Sequence, residues 1–296
     1  MSTLQRVAVT GSSGLVGSAL VSHLKSEGYT VQRLVRRKPV SPDEVSWDPK
    51  AGTIDLAALE GIDAIIHLAG AGVGDKRWTS KYRAEILNSR LLGTTTIAHA
   101  ATTLKPSVFI SASAIGYYGE TGNRAVNEDD RSGDDFLAAV CREWEAAADL
   151  ATGVRTVKVR TGLVLDPTGG ALGRMLPLFR LGLGGKLGSG SQWWSWITLH
   201  DEVKALTHLL NSDIEGAVNL TSPNPVTNQE FTGTLARALH RPALFPVPGF
   251  ILKAALGGFS TEILGSKKVV PAKLLHSGFV FDYPHLTRAL EELCKE

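Results

Sequence analysis

The stretch that decides the fold is VTGSSGLVG, residues 9–17 of a 296-residue chain. It joins a short apolar run to a stretch whose apolar residues recur at helical spacing. Gly11 permits a tight turn, Gly14 lets the backbone approach a pyrophosphate, and Gly17 allows the helix to pack closely on the strand. Because the loop follows a strand and opens a helix, it predicts a dinucleotide-binding site rather than a purely structural turn.

The backbone of the same loop is expected to bind phosphate. The N–H groups in the first turn of a helix have no partner within the helix, and the helix dipole adds positive potential behind them. The predicted cofactor contacts of the loop are Gly11, Ser12, Ser13, Gly14, Leu15, Val16 and Gly17.

Strand-like and helix-like patterns alternate through the first half of the chain. The apolar runs lie at 6–11, 30–37, 63–70, 107–114 and 154–165, and the helical patterns at 14–28, 81–103 and 135–151. Apolar strands separated by helices predict an α/β fold of the Rossmann type, a doubly wound parallel sheet covered on both faces. We expect an NADP-binding domain at 1–165 and a smaller substrate-side domain at 166–296, of which about 197–222 packs back on the first.

The basic cluster Arg36-Arg37-Lys38 bears on whether the cofactor is NAD or NADP. An NAD site is typified by an acid about 20 residues after the glycine loop, which binds the ribose 2′-OH. No acid is in register at the end of the second strand. The guanidinium forks of Arg36 and Arg37 suit a 2′-phosphate, so NADP is predicted; a solvated basic loop is the alternative.

The third predicted strand ends in HLAG, residues 67–70. Small residues at this point leave room for the adenosine and phosphates of a cofactor. We expect Leu68 and Ala69 to present their backbone to it and His67 to be packed. Leu163, near the end of the strand at 154–165, is a further predicted cofactor contact.

Composition excludes several classes of protein. The 31 basic and 29 acidic residues give a net charge of +2, which does not suit a nucleic-acid surface. The two cysteines, Cys141 and Cys294, form no disulfide framework, and no His, Asp or Glu spacing predicts a metal site. No window approaches ~18 consecutive apolar residues, so no membrane span is predicted. The start of the chain lacks a targeting pattern, so a cytoplasmic location is expected; a processed organellar protein is the alternative.

Three motifs together resemble the extended short-chain dehydrogenase/reductases: TGSSGLVG (10–17), HLAG, and SASAIGYYG (111–119). Longer runs resemble one branch, usually labelled an uncharacterised epimerase family, some of whose members are labelled cell-division inhibitor. These runs are DKRW (75–78), SRLLGT (89–94), CREWE (141–145), LPLFRLGLGGKLGSGSQ (176–192) and WITLHDEV (196–203). The resemblance covers nearly the whole chain, including a C-terminal segment of unknown role at about 245–293. It implies NAD(P)-dependent epimerase, dehydratase or reductase chemistry, often on nucleotide sugars.

The resemblance also implies a catalytic Ser, Tyr and Lys, and the last two are missing. Ser113 matches the serine, whereas Phe136 and Val140 stand where the tyrosine and lysine should follow. The residues four positions after the five tyrosines are Arg33, Ile86, Thr121, Gly122 and Thr287, so no YxxxK exists in the chain. Phe cannot ionise, and Val cannot donate a proton or bind a ribose.

Three interpretations of this gap stay open. In the first, Tyr117 or Tyr118 acts as the acid or base near Ser113, helped by a cation such as Arg90 or Lys186; the alternative is that these aromatic rings only pack around the pocket mouth. In the second, Arg90 replaces the lysine.

The second interpretation concerns the predicted helix at 81–103. Glu85 and Arg90 are five residues apart and so are not an i,i+4 pair. The resemblance implies that this helix passes beside the cofactor, so Glu85 and Arg90 are both predicted cofactor contacts, and Arg90 could contact phosphate or ribose; exposed helix charges are the alternative. In the third interpretation no catalysis occurs, and the protein binds NADP(H) as a regulatory or redox-sensing protein.

Two further groups are weaker candidates. His200 and Asp201 resemble a catalytic pair, although related folds use this segment to cap a helix. A Gly-rich loop could bind an anionic or nucleotide-like substrate, with a plain hydrophobic core as the alternative; its cations and polar groups are Arg174, Arg180, Lys186 and Gln192, and its aromatic residues are Trp193, Trp194 and Trp196.

The sequence therefore predicts an NADP(H)-binding, epimerase-like oxidoreductase with a non-standard active site. Its expected substrate is a small molecule, either a nucleotide sugar or a small carbonyl compound, and the competing class is a non-catalytic NADP(H)-binding protein. A broad-specificity carbonyl reductase that takes its proton from water lies between the two.

Overall fold

The computed structural model describes residues 4–295, which contain one large sheet and several two-stranded ribbons. The strands are β1 Arg6–Thr10, β2 Thr30–Val35, β3 Glu44–Asp48, β4 Thr53–Ile54, β5 Ala64–His67, β6 Val108–Ala114, β7 Ala125–Val126, β8 Arg155–Thr161, β9 Leu163–Asp166, β10 Trp193–Trp194, β11 Trp196–Thr198, β12 Gly216–Leu220, β13 Val226–Thr227 and β14 Lys268–Val269.

The helices follow the pattern predicted for the first half and continue to the C-terminal end. They are α1 Leu15–Ser26, α2 Ser80–Leu104, α3 Phe136–Ala148, α4 Gly170–Arg180, α5 Leu199–Leu210, α6 Asn228–Ala238, α7 Gly249–Leu256, α8 Ser260–Leu264, α9 Ala272–His276 and α10 Leu286–Leu293. Short 3-10 turns lie at Ala57–Leu59, Ile115–Tyr118 and Gly257–Phe259. Over residues 4–295, no helix is both long enough and apolar enough to cross a membrane.

The large sheet has eight strands in the order β12-β8-β6-β5-β1-β2-β3-β4. All neighbours pair in parallel except β4, which pairs antiparallel with β3 at the edge. The chain runs outward from β1 in one direction through β2 and in the other through β5. This reversal is the switch point at which doubly wound sheets bind ligands, and the predicted Rossmann-type fold is confirmed.

Helices cover both faces of the sheet, which explains the continuous apolar strands. Along β1, Val7 and Val9 belong to the cluster that includes α1 and α5, whereas Ala8 belongs to the cluster on the opposite face with α2 and α3. Each strand residue is therefore buried on whichever face it points to.

Part of the second half joins this sheet. β12 extends it beside β8, and α5 packs against α1. A separate apolar cluster unites α4, α6 and α10 around Trp196 and Phe231. The division of the chain into two domains near residue 165 stays a prediction.

Candidate functional site

The glycine loop forms a backbone cradle at the switch point. Gly11 has φ +68°, and a Cβ there would lie 2.8 Å from the carbonyl carbon of Leu68. A Cβ on Gly17 would lie 2.1 Å from the Gly11 oxygen, and one on Gly14 would lie 3.3 Å from the same atom. No residue with a side chain fits at Gly11 or Gly17 without a shift of backbone, so the close approach of α1 to β1 depends on these glycines.

The start of α1 fits an anion. Gly14 precedes the helix in extended conformation, no side chain caps the first turn, and that turn has no acidic residue. The cradle and the uncapped N–H groups together suit a cofactor pyrophosphate. Leu15 and Val16 open this helix, with Ser12 and Ser13 in the turn before it.

The basic cluster after β2 contains an ion pair that the sequence did not predict. Arg37 donates two hydrogen bonds to Glu44, from Nη1 to Oε2 at 2.7 Å and from Nη2 to Oε1 at 2.6 Å. The Glu44 side chain is 1% exposed, whereas that of Arg37 is 55% exposed. The hydrogen bonds from Arg37 lower the pKa of Glu44. Glu44 reaches this position because β3 pairs beside β2, a register that local sequence does not reveal.

The fork of Arg37 is thus fixed by Glu44 and by the Lys38 carbonyl, to which Nη1 donates at 3.0 Å, although more than half of the side chain is exposed. Arg36 is exposed beside it. A buried acid that binds the arginine differs from the acid of an NAD site, which binds the ribose directly.

The HLAG strand end is held by Thr10. Its hydroxyl lies 2.7 Å from Nδ1 of His67 and accepts the amide hydrogens of Leu68 at 3.1 Å and Ala69 at 3.3 Å. Burial lowers the pKa of His67 to about 3, so the imidazole is neutral. The amides of Leu68 and Ala69 therefore anchor the strand end beside the glycine loop, where Leu68 touches Gly11.

Arg90 lies next to this strand end, and Glu85 does not. Arg90 donates from Nη1 to the carbonyls of Ala71 and Ile86, both at 3.0 Å, and its guanidinium lies 4.7 Å from the ring centre of Trp144. Burial lowers its pKa. Glu85 is about half exposed and lies 3.6 Å from Lys76. The two charges are not a pair, as their spacing predicted.

Ser113 belongs to a buried polar network rather than standing alone. Its hydroxyl donates to Oε1 of Glu145 at 2.7 Å. Both oxygens of Glu145 also accept from Arg160, at 2.8 Å from Nε and 2.9 Å from Nη2. Burial opposes the charge on Arg160, but the ion pair with Glu145 more than offsets it, so the pKa of Arg160 is raised.

The two tyrosines after β6 occupy different places in this network. The Tyr118 hydroxyl accepts from Arg160 at 2.9 Å and donates to Asn219 at 2.8 Å, and burial raises its pKa to about 12. Tyr117 is partly exposed, and the guanidinium of Arg160 lies 3.4 Å from its ring centre. The raised pKa makes Tyr118 a poor proton donor at neutral pH.

The cation beside these tyrosines is Arg160, not Arg90 or Lys186. Arg90 lies against Trp144, and Lys186 packs beside Gly190. The sequence predicted that Arg90 or Lys186 would be the cation beside Tyr117, but the cation at this position is Arg160 from β8.

The positions of the missing dyad lie on α3, where they pack against aromatic and apolar neighbours. Phe136 contacts Trp78 with ring centres 5.3 Å apart, and Val140 is buried in a cluster with Tyr82 and Ile86. Neither position carries a group that can move a proton.

The weaker candidates have structural roles. His200 binds Asp282 at 2.6 Å, whereas Asp201 accepts the backbone amides of Asp282 and Tyr283. His200, Asp201 and Asp282 each bring a potential metal-ligand atom within 4.8 Å of the others, but Lys204 binds Asp282 at 2.6 Å and already supplies positive charge there.

The Gly-rich loop does not present its polar groups as one surface. Trp196 is fully buried, Gln192 donates to the Leu187 carbonyl, and Arg174 donates to the Gly74 carbonyl. Trp193 and Trp194 donate to Asn123 and to the Ile263 carbonyl. Leu163 opens β9, and its amide donates to the Ser195 carbonyl at 2.8 Å.

Sequence reasoning missed Glu145, Arg160 and Asn219. Two of these residues could have been found from the sequence, because each is a charged residue within an apolar element. Arg160 lies in the run at 154–165 and Glu145 on the helix at 135–151. A charge in a strand that is buried on both faces needs a partner.

Comparison with known proteins agrees with this geometry. A family model described as NAD dependent epimerase/dehydratase family matches residues 7–220. The chain belongs to this family. A model for a domain of unknown function (DUF1731) matches residues 247–293, so the resemblance to the branch with a C-terminal segment of unknown role is confirmed.

Relatives within the epimerase family match along almost the whole chain. Epimerase family protein Mb2239 of Mycobacterium bovis is 43% identical over 288 residues, 96% of each chain. The crystal structure of human epimerase family protein SDR39U1 with NADPH is 35% identical and has a TM-score of 0.91, covering 98% of this chain and 99% of that one. A nucleoside-diphosphate sugar epimerase from Corynebacterium glutamicum is 34% identical with a TM-score of 0.80, covering 98% of this chain and 58% of that one.

Proposed function

We propose that this protein is an NADP(H)-dependent, epimerase-like oxidoreductase whose active site works without a YxxxK dyad. The observation that carries the proposal is the backbone cradle of Gly11, Gly14 and Gly17 against an uncapped helix start. The human relative crystallised with NADPH, at 35% identity, supports a nicotinamide dinucleotide as the ligand.

NADP rather than NAD follows from the basic cluster. Arg37 is held by buried Glu44 with more than half of its side chain exposed, and Arg36 is exposed next to it. A guanidinium whose orientation is already fixed loses little conformational entropy when it binds a phosphate.

The chain's own residues supply binding and proton transfer, while the bound nicotinamide supplies the hydride chemistry. Tyr117 is the proposed proton donor because its phenol is partly exposed at the end of β6. Arg160 lies against its ring face and stabilises negative charge that develops there. Ser113 and Glu145 hold Arg160 in place, so Ser113 acts as a positioning residue in this arrangement.

Arg90 is the proposed substitute for the missing lysine of the YxxxK dyad, in the role of holding the nicotinamide ribose or a phosphate. Its Nη1 is bound to two backbone carbonyls, which fixes the guanidinium beside the HLAG strand end. Glu85 pairs with Lys76 on the exposed side of α2, so the role proposed for this helix falls to Arg90.

A non-catalytic NADP(H)-binding protein is the second candidate. The observation that favours it is the apolar packing of Phe136 and Val140 at the dyad positions.

NADPH titration by fluorescence, followed by a panel of carbonyl compounds and nucleotide sugars, separates the candidates. Tight NADPH binding with turnover that disappears in Tyr117→Phe supports the enzyme, whereas tight binding without turnover on any panel member supports the regulator. Failure to bind NADPH would overturn both.

A further inference from the structure

Seven of the twelve large apolar side chains that are exposed in residues 4–295 lie in two short segments. They are Leu178, Leu181 and Leu183, at the end of α4 and just after it, and Leu244, Phe245, Phe250 and Ile251, in the loop before α7 and its first turn. Leu181, Leu244 and Phe250 are 72%, 75% and 73% exposed. Exposed apolar residues scattered singly need no explanation, but a concentration of this kind is typical of an interaction surface.

The two segments run side by side. The amide of Phe245 donates to the Gly184 carbonyl at 3.1 Å, and Nε of Arg241 donates to the Arg180 carbonyl at 3.1 Å. A Cβ on Gly185 would lie 1.9 Å from the Phe245 oxygen, so the two backbones are in direct contact. The exposed side chains of both segments therefore belong to one surface, the apolar patch.

The start of α7 belongs to the same surface. A Cβ on Gly188 would lie 2.8 Å from the Leu264 side chain, and one on Gly249 would lie 3.5 Å from it. Leu264 thus packs between the first segment and the beginning of α7. This contact brings Phe250 and Ile251 to the edge of the patch.

The backbone of the loop before α7 can leave water at low cost. Pro242, Pro246 and Pro248 have no N–H group. The amides of Phe245 and Val247 are bound by carbonyls of the facing segment. Few backbone donors would therefore lose hydrogen bonds to water if the patch were covered by an apolar medium.

The charge around the patch has one sign. Residues 167–200 and 231–261, which contain both segments, have no acidic residue. Arg174 in the first range lies 3.5 Å from Asp75, and Arg237 in the second lines a cleft with Glu291. The other lysines and arginines of the two ranges form no ion pair within residues 4–295; they are Arg180, Lys186, Arg241 and Lys253.

This charge decides which partner suits the patch. In a twofold dimer a second copy of the chain would place the same surface against itself, so cations would face cations. Like charges brought together across an interface weaken it. An anionic phospholipid bilayer presents negative headgroups above hydrocarbon, which matches an apolar patch with a cationic border.

We propose that the apolar patch docks on the surface of an anionic phospholipid bilayer. Its leucine and phenylalanine side chains enter the boundary between headgroups and acyl chains, and the four cations lie at the level of the headgroups. The proposal assigns a binding surface to the start of the segment of unknown function at 247–293. It is independent of the proposed function, because none of these residues belongs to the glycine cradle or to the network around Arg160.

Co-sedimentation of the full chain with lipid vesicles tests the proposal. We expect binding to vesicles of equimolar phosphatidylcholine and phosphatidylglycerol, and none to vesicles of phosphatidylcholine alone. Binding should be lost in about 1 M sodium chloride, where the Debye length falls to about 3 Å. Lys253→Gln should weaken binding at low salt about fivefold, since each cation near an anionic surface contributes about that factor. The double substitution Leu244→Ser and Phe250→Ser should weaken it ~tenfold or more, because two apolar anchors are lost.

Val280→Ser is the matched control, because Val280 is an apolar residue outside the patch and is 72% exposed. It should bind the mixed vesicles as the original protein does. No binding of the original protein to the mixed vesicles, equal binding to the two kinds of vesicle, or equal binding by the double variant and Val280→Ser overturns the inference. Sedimentation velocity without lipid gives a further test: a dimer that dissociates in the double variant would assign the patch to a second copy of the chain and overturn the inference.

Discussion

The guanidinium of Arg160 lies 3.4 Å from the ring centre of Tyr117 and is bound by both carboxylate oxygens of Glu145. Arg160 comes from β8 and Glu145 from α3, the same helix that carries Phe136 and Val140 in place of the dyad. At these two positions the helix carries no group that could act on a substrate, yet it positions a cation from the neighbouring strand.

Replacing Glu145 with Gln should destabilise the protein. The change removes one charge of a buried ion pair and leaves Arg160 uncompensated, which costs about 3 kcal/mol or more. We expect the midpoint of thermal unfolding to fall by several degrees, as measured by calorimetry. Glu143→Gln, two residues away on the exposed side of α3, should leave the midpoint unchanged. Equal midpoints for the two variants would mean that the buried pair does not hold the sheet to α3.

Replacing Arg37 with Ala should weaken NADPH far more than NADH. Only NADPH carries the 2′-phosphate that the guanidinium would bind, so the loss should be about tenfold or more for NADPH and small for NADH. Fluorescence titration of both cofactors measures it. Arg131→Ala, an exposed arginine on another surface, should change neither affinity. Equal losses for the two cofactors in Arg37→Ala would refute the 2′-phosphate assignment.

The glycine loop and the basic cluster were predictable because their chemistry is local. The turn, the helix start and the two arginines lie within one strand-helix-strand unit, so spacing alone fixes their arrangement. Glu44 and Arg160 were not predictable in their roles, because each meets its partner across neighbouring elements of the fold. His200 and Asp201 resemble a catalytic pair because they are adjacent in sequence, but neighbouring residues on a helix point in different directions. His200 binds the Asp282 side chain, and Asp201 accepts the Asp282 amide.

A second buried acid gives a pH-dependent stability. Glu202, in the first turn of α5, is fully buried; Oε1 accepts from Thr161 at 2.8 Å, and Oε2 has no hydrogen-bond partner within residues 4–295. Burial raises its pKa from 4.5 to about 8. The folded state therefore favours the protonated acid. Ionisation of Glu202 costs folding free energy, and this cost grows as the pH rises from the unfolded pKa through about 8.

Glu202→Gln should remove this pH dependence. At about pH 3.5, a unit below the unfolded-state pKa of 4.5, the acid is largely protonated in both states, so the variant and the original protein should unfold at similar temperatures. At pH 8.5 the variant should be more stable by several degrees, because it has no charge to bury. Thermal unfolding of both proteins across this range measures the difference, with Glu291→Gln on an exposed face of α10 as the control. A difference in midpoint that does not grow with pH would contradict the assignment.

Installing the missing dyad should succeed at one position and fail at the other. Phe136 is partly exposed, so Phe136→Tyr adds a hydroxyl that water can reach, and we expect the stability to change little. Val140 is 3% exposed and packs with Tyr82 and Ile86, so Val140→Lys buries an ammonium among apolar side chains. That substitution should cost about 3 kcal/mol or more, or force the lysine to lose its proton. Val140→Met has a similar length without the charge, so it should lower the free energy of unfolding clearly less. Thermal unfolding of the three variants measures the difference. Two results together would contradict this expectation: Val140→Lys as stable as Val140→Met, and a gain of carbonyl reduction when Val140→Lys is combined with Phe136→Tyr. The cofactor would then reach this face of α3, and the packed rings of Trp78 and Phe136 would have to rearrange.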